Sequence, residues 1–126
     1  VIRELLKVRG PFDVNYAAVA AAGAQLDAPN ESRSRVKEIM SQSKPMLEEF
    51  FRSADVTFHS GAANFLLVEP DDRDAAVDFL KADGILVRPM YPELISGMFR
   101  MSLGTPSEVE RFIDTYGRFL RGTVDH

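Results

Sequence analysis

The apolar positions of this chain run at helical spacing first, alternate in the middle and return to helical spacing at the end. Ile2, Leu5 and Leu6 open at helical spacing, and Gly10-Pro11 closes that piece, since proline lacks an amide and restricts the residue before it. An alanine-rich stretch over about 16–26 predicts a helix capped by Asn15, with side chains small enough for close helix approach. Asp27-Ala28-Pro29-Asn30 is expected as a turn. Val36, Ile39, Met40, Leu47, Phe50 and Phe51 then fall near helical spacing, and Pro45 should kink or divide that long helix near 41–44.

From Asp55 the period shortens to two. Val56-Thr57-Phe58 predicts a short strand, and Asn64-Phe65-Leu66-Leu67-Val68-Glu69 a longer one closed by Pro70. Asp71 and Asp72 should open a helix with Ala76, Phe79 and Leu80 in the core and Gly84 at the left-handed position after it. Ile85-Leu86-Val87-Arg88 reads as a buried strand stopped by Pro89, and 98–103 as an alternating strand beyond a loop with Pro92 and Gly97. Thr105, Pro106 and Glu108 form a capping box ahead of an amphipathic helix carrying Val109, Phe112, Ile113, Tyr116, Phe119 and Leu120. This order implies an α+β fold, with a small, largely antiparallel sheet of three to four strands covered by helices on one face and an N-terminal helical segment.

A length of 126 residues fits one domain spanning 1–126. The net charge of −4 argues against general nucleic-acid binding, and no apolar run approaches the roughly 18 residues that a membrane span needs. Without cysteine there is no disulfide framework and no thiolate chemistry, and His59 and His126 are too few to suggest a metal site. A cytoplasmic protein is expected. The opening at Val1 has no N-cap and no signal-peptide pattern, so it reads as the tail of a helix from a longer chain. Surface left uncovered in such a piece would favour self-association.

Candidate chemistry centres on Arg100. It alternates with Phe99, Met101 and Leu103, so an unpaired cation sits in a row where leucine or valine would suit a sheet better. A stem lying on the sheet with its head in water is the plainer alternative. Strands 85–88 and 98–103 are consecutive and should pair, which would bring Arg88 and Arg100 to one edge. Two clustered guanidinium groups repel unless an anion sits between them, and their planar forks suit carboxylate or phosphate. His59 and Ser60 are not expected to act as a base and nucleophile, because neighbours on a strand face opposite ways. Asp71, Asp72 and Asp74 fit a helix N-terminus better than a metal cluster.

The segments Ser60-Gly61-Ala62-Ala63-Asn64-Phe65-Leu66-Leu67-Val68, Gly84-Ile85-Leu86-Val87-Arg88 and Phe99-Arg100-Met101-Ser102-Leu103-Gly104-Thr105-Pro106 occur in that order. With Lys7-Val8-Arg9-Gly10-Pro11-Phe12-Asp13-Val14-Asn15, they resemble the C-terminal portion of the histidinol-phosphate aminotransferase family, fold-type I pyridoxal-phosphate enzymes, over essentially the whole chain. The resemblance implies a C-terminal small domain, with 1–15 as the tail of a large-domain helix and the inter-domain connection. It implies that Arg100 binds the substrate α-carboxylate and Arg88 the phosphate end of histidinol phosphate. It further implies amino transfer to a 2-oxo acid such as 2-oxoglutarate, pyridoxal phosphate as cofactor of the full-length enzyme, and a homodimer. Lys7, Lys37, Lys44 and Lys81 all fall on predicted helices rather than in the family's Ser-Lys loop, so this chain alone is expected to bind no cofactor productively and to be inactive. Decarboxylases of phosphorylated amino acids and aromatic transaminases of the same superfamily compete with that reading. So does a stand-alone α+β module that binds a small anion or a protein partner.

Overall fold

The computed structural model describes residue 4 and residues 14–124, so nearly all of the helical opening and connection expected over 1–15 lies outside the described residues. The chain divides into two compact units, 1–34 and 35–126. In the first, helix α1 (Tyr16–Asp27) is capped as its sequence requires: the Asn15 side chain accepts a hydrogen bond from the Ala18 N–H at 2.8 Å. No side chain of α1 is buried. Helix α2 (Pro29–Glu38) begins after a single intervening residue, Ala28, rather than a four-residue turn. Proline explains the difference, because its fixed φ suits the first turn of a helix and its missing N–H is not needed there.

In the second unit Pro45 has the expected effect. A π-helical turn over Ile39–Ser43 precedes helix α3 (Lys44–Ser53), and the Lys44 N–H reaches back five residues to the Ile39 carbonyl. Widening the turn accommodates a ring that cannot donate to the Ser41 carbonyl. Leu47 and Phe51 of α3 are fully buried, whereas Val36, at the same helical spacing, is 60% exposed.

Strands β1 (Thr57–Ser60), β2 (Phe65–Glu69), β3 (Arg88–Pro89) and β4 (Phe99–Ser102) form one antiparallel sheet in the order β1-β2-β4-β3. Helix α4 (Arg73–Ala82) follows β2 and helix α5 (Pro106–Val124) follows β4, which gives the expected β-β-α-β-β-α run. Register assigns the faces. Leu66 lies opposite Met101 and Val68 opposite both Phe58 and Phe99. These side chains meet Leu47 and Phe51 of α3, Ala76 and Leu80 of α4, and Val109, Phe112, Tyr116 and Phe119 of α5 in one core. The helices therefore cover a single face of the sheet. The other face carries the alternate residues, among them Leu67, Arg100 and Arg88.

Local signals set the ends of α4 and α5. The Asp72 carboxylate accepts from the Ala75 N–H at 2.9 Å at the start of α4. Gly84 at φ 75° ends that helix, with the Ile85 N–H bonded to the Leu80 carbonyl and the Gly84 N–H to the Lys81 carbonyl, so the last carbonyls are satisfied where a Cβ would be strained. Ahead of α5, the Thr105 N–H donates to Glu108 Oε2 at 2.7 Å and the Glu108 N–H donates to Thr105 Oγ1 at 3.4 Å, completing the capping box. A Cβ on Gly104 would stand 2.6 Å from that same Oε2, so any larger residue there would push the folded-back carboxylate aside. Two expectations need correction. Phe79 is 36% exposed rather than a core residue, with its ring against Phe119. The segment 85–88 is not a buried strand: Leu86 is 81% exposed, and only Arg88 and Pro89 pair. Pro89 joins the strand instead of stopping it, since an edge strand tolerates a residue with no N–H. Among the described residues, no helix is long and apolar enough to cross a membrane.

Candidate functional site

Antiparallel pairing places Arg100 of β4 directly opposite Arg88 of β3. Like charges in opposite positions of a ladder destabilise a sheet, so the pairing points away from a purely structural role. Neither guanidinium has a hydrogen bond or ion pair among the described residues. Arg100 is half-buried and its guanidinium carbon lies 5.5 Å from the centroid of the Phe65 ring, on the same open face. That stacking orients the planar fork and leaves its edge donors unspent. Arg88, at the sheet edge, is exposed.

Both arginines line a cleft of about 700 Å³ between the 84–88 segment, the end of β4 and the start of α5. Its edge exists because the β3 ladder stops at Arg88 while β4 continues to Ser102 along β2. Arg35 and Arg111 line the cleft as well, and Glu108 is its one acidic residue among those described. Glu108 does not neutralise the arginines. Its Oε2 accepts from the Thr105 N–H and, at 2.9 Å, from the Thr105 hydroxyl; these two bonds, with a smaller contribution from the charge of Arg35, hold its carboxyl below the usual range. Four cations and one committed carboxylate give this cleft an excess of positive charge, with Ile39, Val87 and Phe112 supplying apolar wall.

Arg35 and Arg111 escaped the sequence reading. Arg111 is partly committed, donating to the Asp83 carbonyl beyond α4. Its position three residues after Glu108 on the α5 face was the available signal. Arg35 carried none, because polar residues surround it on a solvated helix.

The remaining candidates separate as expected. Ser60 Oγ donates to Glu48 Oε1 at 2.6 Å, while His59 lies across Leu67 with Nε2 4.0 Å from Glu69, so the two do not meet. Asp72 serves as a cap and Asp74 pairs with Arg73 at 2.7 Å. Lys37 lies in α2, Lys44 opens α3 and donates to the Gly61 carbonyl, and Lys81 lies in α4. None of these three lines the arginine cleft. Lys7 lies outside the described residues.

Comparison with known proteins finds relatives over nearly the whole chain. The chain is 34% identical over 122 residues to histidinol-phosphate aminotransferase of Rhodospirillum centenum, covering 94% of this chain and 33% of that protein. It shares the fold of histidinol-phosphate aminotransferase from Sinorhizobium meliloti in complex with pyridoxal-5′-phosphate, at TM-score 0.75 and 21% identity over 96% of this chain and 34% of that one. It also shares the fold of L-threonine-O-3-phosphate decarboxylase from Porphyromonas gingivalis, at TM-score 0.67 and 20% identity over 86% and 35% of the two chains. No family model matches the chain. The chain spans about a third of the length of the relatives it matches.

Proposed function

We propose that this chain is the C-terminal small domain of a pyridoxal-phosphate-dependent aminotransferase acting on histidinol phosphate and a 2-oxo acid, and that it contributes the substrate's anion-binding half of the site. The observation that carries this reading is the Arg88–Arg100 register across β3 and β4, with no acidic partner among the described residues. Arg100, stacked on Phe65, grips the α-carboxylate of the 2-oxo acid and of the amino acid it becomes, and the more exposed Arg88 at the sheet edge meets the phosphate of histidinol phosphate. Both act by holding and orienting the substrate; neither moves a proton, because an arginine stays charged throughout.

The described residues do not fit the cofactor itself. Lys37, Lys44 and Lys81 stand away from the cleft, so the amine that pyridoxal phosphate needs comes from the large domain, and this chain alone is inactive. In the complete enzyme, which we take to be a cytoplasmic homodimer, Arg88→Gln should raise the KM for the phosphorylated substrate roughly 30-fold, as for a lost charge-assisted hydrogen bond. The unphosphorylated amino alcohol should be turned over as before. An equal loss for both substrates would remove the phosphate role from Arg88.

A further inference from the structure

A second cavity, of about 250 Å³, opens between the 54–57 turn, the 69–72 turn and the middle of α5, and shares no lining residue with the arginine cleft. Four carboxylates line it, those of Asp55, Glu69, Asp71 and Asp72, and no lysine or arginine does. Asp72 is committed to its helix cap and Glu69 lies 4.0 Å from His59. Asp55 and Asp71 have no hydrogen bond or ion pair among the described residues.

The independent sign of a ligand is Tyr116. Its ring, 0% exposed, is stacked between Phe112 at 5.4 Å and Phe119 at 5.6 Å, which fixes its direction. Its hydroxyl is buried with no hydrogen-bond partner among the described groups, in a residue that lines this cavity. Burial and then the charge of Asp71 push the phenol up to about 12. A buried phenol ordinarily finds a partner, and leaving one without costs about 1–3 kcal/mol.

We infer that this cavity binds a primary alkylammonium ion of the size of a short diamine. Asp55 and Asp71 supply the countercharge, the Tyr116 oxygen accepts from the ammonium, and the methylene chain lies on Pro70, Phe119 and Leu120. A bare metal ion suits the site poorly, since among the described residues no three acidic or histidine side chains converge tightly enough to hold one.

Calorimetric titration of 1,4-diaminobutane into the 126-residue chain, at constant ionic strength set with potassium chloride, tests the assignment. Saturable binding at or below about 1 mM is expected, with Asp71→Asn weakening it at least roughly tenfold. Tyr116→Phe should weaken it several-fold without lowering the melting temperature, because the variant discards a hydroxyl that has no partner. Absence of binding at about 10 mM diamine, or unchanged affinity in Asp71→Asn, overturns the inference. Equal heats from potassium chloride at matched charge would reduce it to general screening and overturn it too.

Discussion

Arg100→Leu in the complete enzyme is expected to lower kcat/KM for the 2-oxo acid substrate roughly 150-fold, about 3 kcal/mol, while leaving the fold intact or slightly firmer. The loss follows from removing one partner of a charged, bidentate contact, which costs about 2–5 kcal/mol because the other charge is left unmet. The gain in firmness follows from the ladder. Arg100 faces Arg88 across β3–β4 and sits beside Leu67 on β2, so leucine relieves a like-charge pair of about 0.2–1 kcal/mol and adds apolar contact. A residue that costs the sheet stability and supports catalysis is the pattern expected of a binding group. Steady-state kinetics and thermal unfolding on the same variant separate the two effects. Unchanged kinetics would remove Arg100 from the site, and a large drop in melting temperature would show that it serves the fold.

Phe51→Ala is expected to cost about 3–5 kcal/mol of stability, as for truncating a fully buried aromatic ring. Phe51 is fully buried, and its ring centroid lies 5.4 Å from Phe50, 5.5 Å from Phe58, 6.0 Å from Phe112 and 6.1 Å from Tyr116. One side chain thus ties α3 to β1 and α5, and its loss leaves a cavity that three elements would have to close together. Set against a usual domain stability of about 5–15 kcal/mol, the loss removes a large share and should lower the midpoint of thermal unfolding by roughly 15 °C. A change below about 1 kcal/mol in chemical denaturation would mean that the cluster does not hold these elements together.

Much of this arrangement is legible in the residues, for reasons that differ along the chain. Pro45, Gly84 and the Thr105–Glu108 box act through backbone chemistry that no neighbour can override, and each takes effect where expected. Helix α5 has enough turns for its apolar stripe to be unmistakable. The failures lie where tertiary placement decides. Ile85-Leu86-Val87 has the composition of a buried strand, yet the segment leaves Gly84 at the sheet edge, where Leu86 turns outward. A short apolar run carries no information about which side will be covered. Val36 and Phe79 satisfy helical spacing but fall at the margin of the stripe, which spacing alone does not distinguish from its centre. The arginine pair was legible because consecutive strands tend to be neighbours; Arg35 and Arg111 were not, because a cleft gathers residues that no local pattern links.

The central claim is that Arg88 and Arg100 are the anion-binding groups of one cleft, Arg88 for phosphate and Arg100 for carboxylate, and the most direct test follows their side-chain Nε–Hε signals by nuclear magnetic resonance while histidinol phosphate, and separately 2-oxoglutarate, is added to the 126-residue chain at low salt. Histidinol phosphate should shift the Arg88 signal and 2-oxoglutarate the Arg100 signal, each with a midpoint in the millimolar range, and both shifts should weaken as salt rises. Signals that stay still through both additions would contradict it.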